Sequence, residues 1–217
     1  MQCKRVGVLS NPRSGTSLMV RMLLLGFDLT NTVPIQDMAS HDDVYTYRVG
    51  PEYLEENGTS DCNVILILRD PRAVITSHHP SHPAPYTFGF KDWYVNYRRC
   101  AALQNKVNLC HVDYATLITR PDDVQMNLSK CMDLPIALPF YKCASAPPKK
   151  GLRRCGDMDA EMGGARMLEP DKIFSWQQDV HRERLKDQLR DHPEIPEVLV
   201  ELGFEEDSSW IDRFCLR

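Results

Sequence analysis

The chain has 217 residues and a mass of 24.9 kDa. That length suits one domain over residues 1–217, with a sizeable core that needs no cross-links. Hydrophobic residues make up 42% and charged residues 26%, and 26 bases against 30 acids leave a net charge of −4, which disfavours a dedicated nucleic-acid binder.

Met1-Gln2-Cys3-Lys4-Arg5 leads straight into a strand-like run, so no signal peptide and a cytoplasmic location are expected. Lys4 to Leu9 reads as a first strand, followed by a polar turn over Ser10 to Thr16. Ser17 to Leu25 has the wide apolar face of a buried helix, with Gly26 as its stop. Residues 27 to 62 are broken by Pro34, Pro51 and Gly58, with a short helix suggested from Pro51 to Glu56. Asn63 to Leu68 (NVILIL) is the clearest strand, apolar throughout as a central parallel strand must be. It is too short to cross a bilayer, and no membrane association is expected. Pro71 opens a helix through about Ser77, and Pro80, Pro83 and Pro85 then mark a loop. Phe90 to Asn105 is helical in period, Val107 to Val112 is a third strand, and Pro121 to Met132 is another helix. Residues 133 to 170 carry little pattern, and helical pieces at 182–191 and 193–202 close the chain. Strands alternating with helices indicate an α/β fold with a mainly parallel sheet, whose ligands bind at the carboxyl ends of the strands.

The eight cysteines stand at 3, 62, 100, 110, 131, 143, 155 and 215, with no CxxC spacing. No zinc site is expected, and the thiols read as free and structural.

Two segments occupy strand ends. Pro12-Arg13-Ser14-Gly15-Thr16-Ser17, between strand and helix, has the make-up of an anion cradle. Gly15 permits a tight turn, the helix start offers free N–H groups, and Ser14, Thr16, Ser17 and Arg13 supply donors. The usual nucleoside-triphosphate loop is GxxxxGK[ST]; here Ser10 replaces its first glycine and Thr16 its lysine. An ordinary helix cap by Ser14 or Thr16 fits the same residues. The second segment is Arg69-Asp70-Pro71-Arg72-Ala73-Val74-Ile75-Thr76-Ser77. Arg69 ends a buried strand, where a charge needs a partner. That partner is either an anion shared with Ser77, eight residues on, or a structural acid such as Asp70.

Together these segments resemble a known family. PRSGTS resembles the 5′-phosphosulfate loop of sulfotransferases that use 3′-phosphoadenosine 5′-phosphosulfate (PAPS), and RDPRAVITS resembles their 3′-phosphate motif. Val112-Asp113-Tyr114-Ala115-Thr116-Leu117 is similar to the family's V-x-Y-x-x-L strand end, and Lys149-Lys150-Gly151 to its closing basic segment.

The resemblance implies a P-loop-NTPase-like three-layer fold. It also implies sulfuryl transfer from PAPS to a small hydroxyl acceptor, with release of 3′-phosphoadenosine 5′-phosphate (PAP) and no metal. Ser14, Gly15, Thr16 and Ser17 would bind the 5′-phosphate, with Arg13 on the phosphosulfate. Arg69 and Ser77, with Lys150 and Gly151, would hold the 3′-phosphate. A base of suitable pKa should take the acceptor proton. His41, beside Asp42 and Asp43, is the first choice; His78, His79 and the acids Glu52, Glu55 and Glu56 are the others. Tyr86, Phe88, Phe90, Trp93, Tyr94 and Tyr97 read either as an aromatic wall for a phenolic acceptor or as ordinary core. Two other functions fit the same loops. One is a P-loop kinase or nucleotide hydrolase, with Asp70 as its magnesium carboxylate. The other is a PAP-binding protein without catalysis.

Overall fold

The computed structural model describes residues 5–27, 29, 45–48, 51, 52, 54, 62–78, 84–86, 88–146 and 168–215. Four parallel strands form one sheet in the order β2-β1-β3-β4, with β1 at Arg5–Ser10, β2 at Tyr45–Arg48, β3 at Cys62–Leu68 and β4 at Asn108–Asp113. The chain leaves β1 for β2 on one side and then crosses to β3 on the other. That reversal places a ligand crevice at the carboxyl end of β1.

Side chains on the strands alternate between two faces. Val6 and Val8, Ile65 and Ile67, and Cys110 and Val112 face one way, into a core closed by α1 (Thr16–Gly26), α5 (Pro121–Met132) and α6 (Phe140–Cys143). Leu9, Val64 and Leu66 face the other way, against Cys100 and Leu103 at the end of α3 (Phe90–Ala101). Val64 to Ile67 are all at most 2% exposed, the burial expected of a strand covered on both faces. The α/β architecture, a parallel sheet flanked by helices, is as expected.

A third cluster lies toward the chain end. It joins α2 (Pro71–Ile75) and α3 to a 3₁₀ stretch at Pro170–Gln177 and to α7 (Arg182–Asp191), α8 (Ile195–Glu201) and α9 (Trp210–Cys215). Phe90 and Trp93 sit in this cluster at 1% exposure each, stacked with ring centres 5.9 Å apart. They are core, and the reading of them as an acceptor wall gives way to their packing.

Several elements depart from expectation. β2 falls in the stretch left unread, α4 (Tyr114–Thr119) follows directly on β4, and the helix begun at Phe90 stops at Ala101. Buried Cys100 and Cys143 stand outside any disulfide, as expected, but the expectation fails at Cys110 and Cys131, which form a disulfide between β4 and α5. A 6.6 Å Cα separation lets the two thiols meet. No helix among the described residues is long and apolar enough to cross a membrane.

Candidate functional site

Register brings the two predicted loops together. Ser10 of β1 pairs with Ile67 of β3, and Leu68 of β3 with Asp113 of β4. The residues just beyond these pairs, the 11–15 loop, Arg69 and Tyr114, therefore emerge side by side at the carboxyl end of the sheet.

The first loop is shaped by two left-handed residues, Arg13 at φ 66° and Gly15 at φ 88°. Gly15 tolerates that conformation; for Arg13 it costs about 1–2 kcal/mol, the kind of strain that collects at functional sites. The Ser14 N–H donates to the Asn11 carbonyl at 3.2 Å, and the Asn96 side chain donates to the Asn11 side chain at 2.9 Å. Ser14 is fully buried, and its hydroxyl has no hydrogen-bond partner among the described residues. A plain cap by this serine is therefore absent: Gly15 is the N-cap and no side chain caps the helix. Thr16 shares a hydroxyl–hydroxyl bond with Ser10.

The second loop answers the first. Arg13 Nε donates to Ser77 Oγ at 3.1 Å and Arg13 Nη2 to the His78 carbonyl at 3.3 Å. Arg69 Nη1 donates to the Arg13 carbonyl, and its guanidinium lies 4.5 Å from the centre of the Tyr114 ring. Arg69 Nε is buried and unpartnered among the described residues. Burial pulls this guanidinium below the ordinary arginine value, with Tyr114 and Asp70 opposing the shift; the side chain stays charged at neutral pH.

Asp70 does not pair with Arg69. Its carboxylate caps α2 through the Arg72 N–H at 2.8 Å and takes the Arg72 side chain on both oxygens. The acid expected to pair with Arg69 is thus committed elsewhere, and so is the carboxylate that a magnesium-dependent reading required.

Tyr114 is the contributor that sequence reasoning missed, although its motif was noted. A Cβ placed on Gly15 would come within 2.7 Å of the Tyr114 ring. One ring therefore covers the 11–15 loop and carries Arg69 on its face. Asn11 and Asn96 were missed as well. His41, His79, Lys150 and Gly151 lie outside the described residues. Among the proposed bases, His78 has an exposed side chain and Glu52 is committed to Arg99. Tyr86 bonds His181 Nδ1 at 3.1 Å.

Two unpartnered buried donors, a glycine that admits no Cβ and two arginines on adjacent strand ends fit a ligand with two anionic groups. Buried donors carry a full desolvation cost until something accepts from them.

No protein-family model and no curated protein sequence matches the chain. Solved structures do. The sulfotransferase domain from the Synechococcus PCC 7002 olefin synthase superposes with a TM-score of 0.59 at 16% identity, over 81% of this chain and 87% of that one. The sulfotransferase domain from the curacin biosynthetic pathway gives 0.57 at 13% identity, over 85% and 96%. Mouse sulfotransferase SULT7A1 complexed with PAP gives 0.51 at 11% identity, over 93% and 86%. At these identities the likeness shows the fold: a P-loop-like three-layer α/β architecture of sulfotransferase type.

Proposed function

We propose that the protein, as one domain over residues 1–217, transfers a sulfuryl group from PAPS to a hydroxyl of a small acceptor and releases PAP. One observation carries the reading. The fully buried Ser14 hydroxyl and the buried Arg69 Nε lack partners among the described residues, on two loops that bond each other through Arg13 and Ser77.

PAPS, when bound, supplies an activated sulfuryl group with PAP as its leaving group. Ser14, Gly15, Thr16 and Ser17 hold the 5′-phosphate against the start of α1. Arg13 stabilises negative charge growing on that phosphate, by analogy with the positively charged clamps of phosphoryl transfer. Arg69 and Ser77 grip the 3′-phosphate, with Lys150 and Gly151 closing over it. His41 takes the acceptor proton, with His78 and His79 next in line. No metal is assigned a role. A phenolic acceptor stays within the proposal, but Phe90 and Trp93 no longer support it.

The test is calorimetric titration with PAP in EDTA, beside ATP. Micromolar PAP binding, unmatched by ATP and lost in Arg69→Ala, is the expected result. No PAP binding by the wild-type protein would overturn the reading. Transfer of labelled sulfate from PAPS to a panel of phenols and alcohols, with His41→Ala as comparison, then separates an enzyme from a protein that only binds PAP.

A further inference from the structure

Arg72 stands three residues after Arg69 and inside the same motif, yet it faces away from the anion site. It is 2% exposed. Its side chain donates to Asp70 through Nε at 3.1 Å and Nη2 at 2.7 Å, and through Nη1 to Glu205 at 2.5 Å. Two indole rings lie against the guanidinium, Trp176 at 3.8 Å and Trp210 at 4.6 Å. Neither indole N–H has a hydrogen-bond partner among the described residues, so what these tryptophans contribute here is their faces.

The backbone of Arg72 is equally engaged. Its N–H is capped by Asp70, and its carbonyl accepts from the Thr76 N–H at 3.2 Å and the Thr76 hydroxyl at 2.7 Å. Thr76 immediately precedes Ser77, and Asp70 immediately follows Arg69. One residue therefore ties down both neighbours of the anion pair and fastens the turn between them to the C-terminal helices.

We propose that Arg72 is a positioning residue: clamped by Asp70, Glu205, Trp176 and Trp210, it sets the spacing of Arg69 and Ser77 and so the preference for a nucleotide bearing a 3′-phosphate. This rests on the nucleotide reading above. Arg72 itself touches no ligand. The residues that hold it come from the far end of the chain, which makes the C-terminal cluster a determinant of specificity as well as of stability.

The experiment compares PAP with ADP, which lacks the 3′-phosphate, by calorimetry on folded full-length variants whose melting is checked first. Arg72→Lys keeps the charge but loses the planar fork and its fit between rings. It should weaken PAP binding about tenfold, the lower end of what supporting residues contribute to a bound group, and leave ADP within about twofold. Trp210→Leu and Glu205→Gln should move PAP in the same direction by less, and they decide the matter if Arg72→Lys does not fold. Equal losses for PAP and ADP would reduce Arg72 to a structural role and overturn the proposal, as would unchanged PAP affinity. A wild-type protein that does not prefer PAP to ADP overturns the nucleotide reading itself, before any variant is made.

Discussion

Two arginines of one short motif, Arg69 and Arg72, face different regions, and the contrast between them defines each. At the carboxyl end of the sheet, Arg69 keeps a buried nitrogen without a partner among the described residues, beside a buried serine hydroxyl in the same condition. In the C-terminal cluster, Arg72 is bound by two carboxylates and two indoles. Buried donors left open are costly; a region that carries them is built for something to bind. A buried charge that is fully matched is built to hold structure. On the proposed function, the same side chain, three residues apart, serves binding in one direction and architecture in the other.

The sharpest way to break that contrast is to delete each arginine in turn. Arg72→Ala leaves Asp70 and Glu205 without their shared cation and should cost about 3–5 kcal/mol of stability, read from urea midpoints. Arg69→Ala should cost about 1 kcal/mol or less, since no acid is stranded, while abolishing PAP binding. Equal stability losses would erase the distinction.

The sheet side has its own fastening. The Cys110–Cys131 disulfide closes a loop between residues 21 apart in sequence, and a loop of that length contributes about 3 kcal/mol in the chain-entropy account. Cys131→Ser or reducing agent should lower the urea midpoint by a matching amount. Disulfides persist in oxidising compartments, so the bridge and the expected cytoplasmic location are opposed. Alkylation and mass spectrometry of protein from its native cells decide between them: a modified Cys131 means a reducing compartment.

Much of the sheet side was legible because its signals are local. NVILIL is short and rich in β-branched residues, which favours a covered strand over a buried helix, and the Ser17–Leu25 run carries the wide apolar face of a buried helix. The placing of the two candidate loops at strand ends was legible from residue type. β2 was not: Tyr45–Arg48 is four residues long and alternates at a sheet edge among proline-broken stretches. α4 hid behind β-branched Thr116, Ile118 and Thr119, which suit a strand; its start is set by Asp113, which accepts from the Thr116 N–H at 2.6 Å. Arg72 was illegible in a different way. Its partners Trp176 and Glu205 are more than a hundred residues distant, and no local pattern announces a contact made only by folding.

Gly15→Ala gives a smaller effect that touches both halves of the anion site. The left-handed backbone alone costs an alanine about 1–2 kcal/mol. The added Cβ also meets the Tyr114 ring at 2.7 Å, so Tyr114 must shift and take the support of Arg69 with it. Stability should fall by about 2 kcal/mol, and PAP binding should weaken beyond what unfolding explains. Tyr114→Leu in the same background should restore stability in part without restoring binding.

The smallest effects are in pH, and they separate the two regions by sign. Cys143, behind α1 in the sheet-side core, has its thiol pushed up from 9.0 to about 11 by burial, with Asp122 adding to the shift. The unfolded chain then loses that proton first, so the stability it contributes is present below pH 9 and is lost as pH rises toward about 11. His181, beside the C-terminal cluster, is held below 6.5 by burial. Its contribution runs the other way: present above pH 6.5 and lost as pH falls through its lowered value, because the unfolded chain binds the proton more readily. Protonation would also make Nδ1 a donor toward Tyr86, with Arg184 only 5.2 Å from that ring. Melting temperatures measured from pH 4 to 11 should therefore show an alkaline limb flattened by Cys143→Ala and an acid limb flattened by His181→Gln. If either substitution flattened the opposite limb, the assignment of those groups to their two regions would fail.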